Sequence, residues 1–292
     1  MISFRQHVVT LVAVFLALAV GVVLGGGPLA EVSRDALTST AAQPKSRPGD
    51  DGSAFGDAFA TATATRLYDE KLAGRSVALV SLPGADQQVI EGLVGQIEHA
   101  AGTLEGKYEL QPGLVDPGEK SLVDTLGSQL MTQLGSEAAD EDAPTYERMG
   151  QLLGTAITTR DEDGAGAGEE PSSIRQSLAG AELVASPESD PGRAPLVLVV
   201  LGDDTDDDIL AGLLSGLASR ALGVVVAGDT RSGTNGDVAA LRARPEAATV
   251  TTVDGVELGV GQVTTVLALV RALGEKGGSF GASGSDGAVP LR

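Results

Sequence analysis

Apolar positions along the chain fall into three patterns. The first is an unbroken run, Val8 to Gly25, with no charge and almost no polar side chain. The second is a set of short continuous runs bounded by turn residues: "SVALVSL" (76–82), "KYELQ" (107–111), "APLVLVVLG" (194–202), "GVVVAG" (223–228) and "ATVTTV" (248–253). The third is helical spacing, in "DQQVIEGLVGQIEHA" (86–100), "SLVDTLGSQLMTQL", "YERMGQLLGTAI", "DDILAGLLSGLASRAL" (207–222) and "QVTTVLALVRALG". Continuous apolar strands alternating with amphipathic helices predict an α/β domain with a mainly parallel sheet flanked by helices.

The Val8–Gly25 run just meets the length of about 17–20 residues needed to span a membrane. It is longer than the apolar part of a typical export signal, and Pro28 disfavours cleavage nearby. Arg5 and the amino terminus precede it and Glu31, Arg34 and Asp35 come after it, a bias that places the amino end inside. The expected organisation is a transmembrane anchor over residues 1–28, a linker with a short helix over 29–74, and an extracytoplasmic α/β domain over 75–292. Within the anchor Ala13, Ala17, Gly21 and Gly25 recur every fourth residue, a small-residue ridge of the kind that lets two membrane helices pair into a homo-oligomer. Frequent Ala and Gly in such helices explain the ridge equally well.

Three polar stretches punctuate the rest. "TSTAAQPKSRPGDDGSAFG" (38–56) reads as a linker, "TTRDEDGAGAGEEPSS" (158–173) as an acidic disordered loop, and "SPESDPGRAP" (186–195) as a shorter linker. One echo stands out: Asp86, Val89, Ile90, Gly92, Leu93 and Val94 match Asp206, Ile209, Leu210, Gly212, Leu213 and Leu214, 120 residues later. Shared helix grammar accounts for it better than duplication.

Charge and composition then narrow the function. With 40 Asp plus Glu against 20 Lys plus Arg, the net charge is −20, which excludes a nucleic-acid partner in the absence of a basic face. Cysteine is absent, so thiolate catalysis, disulfides and Cys-ligated metal are excluded. Nothing calls for a cofactor. The strands lack the alternation and aromatic girdles of a membrane barrel.

"GDDTDDDIL" (202–210) is the most conspicuous polar cluster, at the carboxyl end of an expected strand, where α/β sheets bind ligands. Asp204, Asp206 and Asp208 alternate as early calcium-loop ligands do and are candidate metal ligands, but Ile209 stands where Gly is needed and Ser215 where Glu is needed. A helix start capped by Thr205 or Asp206 fits the same residues. His99 is the lone histidine beyond the anchor region, and no nucleophile–base or phosphate-loop pattern is present. A non-enzymatic binding or assembly module is the expectation.

The opening "MISFRQHVVTLVAVFLALAVGVVLG", with "VVVAGD" (224–229), "TTVDG" (251–255), "GQVTTVLALV" (261–270) and "GGSFG" (277–281), is similar to the mycobacterial copper transport protein B (MctB) family of actinobacterial envelope proteins. The resemblance implies a role in keeping internal copper low, as a channel or efflux component. It also implies a different role described for related members, as membrane scaffolds of cell division whose outer domain contacts a peptidoglycan hydrolase. Pro44, Pro48, Gly49 and Gly52 interrupt the region where family members carry a long heptad-bearing helix.

Overall fold

The computed structural model describes residues 50–135, 138–185 and 190–291. The chain divides into two compact units, Met1–Asp51 and Gly52–Arg292, and the whole of the sheet lies in the second. The Val8–Gly25 run and its ridge of Ala13, Ala17, Gly21 and Gly25 lie outside the described residues. Among the described residues no helix is long and apolar enough to cross a membrane.

Among the described residues six strands form one sheet: β1 (Ser76–Ser81), β2 (Thr103–Glu109), β3 (Leu196–Val200), β4 (Gly223–Gly228), β5 (Thr251–Asp254) and β6 (Ser279–Gly281). Their order is β2-β1-β3-β4-β5-β6, and every neighbouring pair is parallel. A parallel sheet must hide both faces, so its strands need apolar side chains on each side. Alternation along the strands delivers this. Val77, Leu79, Leu196, Leu198, Val225 and Val253 face a core completed by α1 (Asp50–Tyr68), α2 (Gln87–His99) and, from the far end of the chain, the helix Gly259–Ala272. Ala78, Val80, Val197, Val199, Val224 and Val226 face the other core. That core is closed by α3 (Pro112–Val115), α4 (Lys120–Leu134), α5 (Thr145–Ile157), α6 (Glu169–Gly180), α7 (Asp207–Arg220) and part of α9 (Asp237–Arg242), which comes after the short α8 (Thr230–Asn235). Gly259–Ala272 is α10. Each fully buried Val or Leu contributes about 1.5–3 kcal/mol, so the two cores supply most of the stability.

The second core depends on a close helix pair. Gly150 and Gly154 on α5 face Gly212 and Gly216 on α7, two G-x-x-x-G seams in a domain without membrane helices among its described parts. A Cβ on Gly150 would stand 2.2 Å from the Leu213 carbonyl oxygen, and one on Gly216 would stand 2.1 Å from that of Glu147. The backbones touch, which only glycine permits.

Four elements differ from the sequence expectation. Helix α1 begins at Asp50, inside the stretch expected to be linker, and buries Ala60, Ala64 and Tyr68 on the sheet. The Tyr68 hydroxyl donates to Gln96 Oε1, and burial pushes the phenol up to about 12. Strand β2 starts at Thr103 rather than Lys107, because it is an edge strand whose first half is only partly buried and so lacks an apolar signature. Strand β6, three residues between glycines, has too short a period to read.

The largest correction concerns residues 158–173, expected to be a disordered loop. Thr158 bridges Ala194, and Ala165 and Arg193 exchange backbone hydrogen bonds of 2.9 and 2.7 Å. Arg75 meets Glu162 at 2.7 Å and Asp163 at 3.3 Å. Helix α6 then starts at Glu169, where two carboxylates in the first turn favour the helix dipole. Arg175, 5% exposed, ties this helix to the Ala156 carbonyl and to Asp190 at 2.5 Å, and holds the Asp190 carboxyl below its ordinary range.

Candidate functional site

Strand order reverses between β1 and β3, the position where open α/β sheets hold ligands beyond the carboxyl ends of the strands. Here that crevice is filled by its own loops. The Asp203 N–H donates to the Pro83 oxygen at 2.9 Å, and a Cβ on Gly202 would lie 2.1 Å from the same oxygen. The ligand position of the fold is closed by backbone, and the chemistry moves to its rim.

The acidic run 202–210 forms that rim. Asp206 caps α7, accepting from the N–H groups of Asp208 at 3.0 Å and Ile209 at 3.2 Å. Asp208 instead meets Arg244 at 2.6 Å, and Asp204 faces Arg231 at 3.9 Å. The three alternating carboxylates are thus engaged one by one in a cap and two ion pairs. Among the described residues no three His, Cys, Asp or Glu side chains are grouped to hold a metal. Asp86 caps α2 just as Asp206 caps α7, and the two helices cover opposite faces of the sheet. The echo between them is the grammar of a strand–turn–capped-helix unit.

Asp237 joins this rim unannounced, since "NGDVAAL" reads only as a helix start. It is 5% exposed and accepts the Thr205 N–H at 3.1 Å. Burial, helped by the nearby Asp204 and Asp207 carboxylates, pushes its carboxyl up to about 6, against the pull of the Thr205 N–H and Arg231. The rim is held in place by a carboxyl group that takes up its proton at a higher pH than an ordinary aspartate.

A second polar centre lies at the ends of β4, β5 and β6, where three of the family-like motifs converge. Asp254 closes "TTVDG", with 0% side-chain exposure, and pairs with Arg242 at 2.8 Å. Arg242 also donates to Thr252 Oγ1, Ser283 Oγ and the Phe280 oxygen, at 3.0, 2.9 and 2.8 Å. The Ser283 N–H donates to Asp254 Oδ2 at 2.9 Å, and the Ser283 hydroxyl lies 2.8 Å from the Gly233 oxygen. This network ties the carboxyl-terminal segment with "GGSFG" to the sheet. Sequence reading missed Arg242 and Ser283 because neither belongs to a spaced motif.

Among the described residues, the donors that soft metals prefer are dispersed. His99 ends α2 on one side of the sheet, whereas Met131 and Met149 sit on α4 and α5 on the other, Met149 being fully buried.

The architecture defines a doubly wound parallel α/β domain with a closed switch-point crevice and an acidic rim. The profile of the family described as "Copper transport outer membrane protein, MctB" matches residues 1–291, and the chain belongs to that family. It is similar to proteins named Copper transporter MctB from Mycobacterium tuberculosis (strain ATCC 25618 / H37Rv) and Mycobacterium bovis (strain ATCC BAA-935 / AF2122/97), each 28% identical over 289 residues and 92% of both chains. The protein of that name from Mycobacterium leprae (strain TN) is 28% identical over 293 residues, again 92% of both chains.

Proposed function

We propose that the chain is a non-catalytic envelope component of copper transport that keeps internal copper low as part of a channel or efflux assembly. The observation that carries this reading is the family match along residues 1–291, with relatives named as copper transporters. The uncharged Val8–Gly25 run supports a single-pass anchor with the amino end inside and the α/β domain outside the cytoplasmic membrane. One helix cannot line a pore, so conduction requires a homo-oligomer, through Ala13, Ala17, Gly21 and Gly25, or a partner in the envelope.

Within that reading the α/β domain acts by contact rather than by holding copper, because His99, Met131 and Met149 sit on separate elements. The same dispersal favours a second reading, a membrane scaffold that regulates cell division and a peptidoglycan hydrolase. Phe55 and Phe59, 74% and 62% exposed one turn apart on α1, are suited to such contacts. Deleting and restoring the coding sequence separates the two. Copper sensitivity with normal septa supports transport, and misplaced septa at ordinary copper support the scaffold.

A further inference from the structure

Helix α1 is apolar on two opposite sides. Ala60, Ala64 and Tyr68 enter the core beneath it. Phe55, Ala58, Phe59 and Ala62, spaced three and four residues apart, share the other side, and all four are exposed. The flank between the two sides is fastened to α10. There the Val260 N–H donates to Asp57 Oδ1 at 3.2 Å, and a Cβ on Gly259 would lie 3.4 Å from Asp57 and from Thr61. That attachment fixes which side of α1 is turned outward. A helix apolar all round has a second surface to hide, and an exposed apolar stripe marks a contact.

The order of sizes along the stripe shows what fits it. Two large side chains lead and two small ones follow in alternation, Phe55, Ala58, Phe59, Ala62. An antiparallel copy, related by a two-fold axis between residues 58 and 59, brings Phe55 against Ala62 and Phe59 against Ala58. Large meets small along the whole contact, which is the condition for close packing. A parallel copy instead sets Phe55 on Phe55 and leaves a gap between two Ala62, so only the antiparallel two-fold is self-complementary.

The area of the stripe decides how the copy is held. An aromatic side chain buries about 150–250 Å², so four partly exposed phenylalanines, two from each copy, bury on the order of 500 Å². Lasting association of free molecules takes about 1,200–2,000 Å². The stripe is too small to hold a partner from solution but suffices for chains already kept close, where tethering raises the effective concentration. Residues 1–49 precede α1 and include the uncharged Val8–Gly25 run, so copies anchored in one membrane are kept close in this way.

We infer that the outward stripe of α1 is an interface with a second copy of this chain, packed antiparallel about residues 58 and 59. The inference rests on the anchored reading of Val8–Gly25 and not on copper.

The test is disulfide cross-linking of the full chain in membranes, oxidised with diamide and read on non-reducing gels. The chain has no cysteine, so each introduced thiol reports alone. Ala58→Cys lies next to the two-fold axis and should give a product of twice the chain mass, several-fold above Ser121→Cys, an exposed position on α4. Phe55→Cys and Ala62→Cys should each stay at the Ser121→Cys level alone and cross-link when the two chains are made together. Adding Phe59→Glu should return Ala58→Cys to that level, while urea unfolding is unchanged because Phe59 is exposed. Pairing through residues 1–28 alone raises every position together, Ser121→Cys included, and overturns the inference. So do a product of any other mass, Phe55→Cys cross-linking alone as well as in the mixture, or no effect of Phe59→Glu. Sedimentation of the chain with the membrane reports the anchor separately. A chain that sediments but does not cross-link overturns the α1 interface alone, and one that stays in solution overturns the anchored reading and the interface with it.

Discussion

Arg242 and Asp254 form a buried ion pair, 2.8 Å between Nη2 and Oδ1, with a carboxylate that has no solvent exposure. Ser283 and Phe280 of the carboxyl-terminal segment bond to the same two side chains. The pair therefore fastens the last strand to the sheet rather than adding a surface attraction.

Removing one member leaves the other charge buried, which costs about 3–5 kcal/mol. Arg242→Ala strands the fully buried Asp254 and should destabilise the chain by that amount, whereas the double change Arg242→Met with Asp254→Leu should recover much of the loss. Urea unfolding of the three proteins checks this. Equal stability of Arg242→Ala and the unaltered chain would remove the fastening role.

The glycine seam of α5 and α7 makes a sharper claim. Alanine is the better helix former by about 1 kcal/mol, so an unhindered Gly→Ala change stabilises a helix. Gly95 on α2 has open space around its Cβ position, and Gly95→Ala should raise the melting temperature. At Gly150 and Gly216 the added methyl meets a carbonyl oxygen at 2.2 and 2.1 Å. Gly150→Ala and Gly216→Ala should lower stability by about 1–3 kcal/mol or more despite the propensity gain.

Both seams are visible in the sequence as G-x-x-x-G, yet only the structure shows that they face each other. The same limit governs the rest. Strands β1, β3 and β4 were legible because both faces are buried, leaving unbroken Val and Leu runs bounded by turns. Helix α6 and the bridge of Ala165 to Arg193 were hidden because their order comes from distant partners, Arg175 with Asp190 and Arg75 with Glu162. At the rim, sequence identified the Asp206 cap as one of two readings. Asp237 was invisible because its environment is assembled from three segments.

That environment sets a pH dependence. The folded carboxyl of Asp237 titrates near 6, above its ordinary 3.8, so between these values the folded chain binds more protons than the unfolded one. Stability from this group is greatest in acid and falls as pH rises through about 6, by up to about 3 kcal/mol. Asp237→Asn can still accept the Thr205 N–H and should not show this fall. The difference in unfolding free energy between the two proteins, followed from pH 4 to pH 7, should grow in favour of the Asn protein. A difference that is flat with pH would show that Asp237 is ordinary.

Dispersal of His99, Met131 and Met149 leads to an expectation for the metal itself. Copper(I) titrated into the full chain against a competing chelator should find no tight stoichiometric site in the α/β domain. Accordingly, His99→Ala and Met131→Leu should leave the titration unchanged. Tight binding lost on either change would locate a copper site that the fold does not display.

That this member of the MctB family keeps internal copper low is a proposal that cells can test. Its most direct test is cell-associated copper, measured by mass spectrometry in cells grown with added copper, with the chain present, deleted and restored. Copper should rise on deletion and return on restoration, and a chain lacking residues 1–28 should fail to restore it. Unchanged cellular copper on deletion would contradict it.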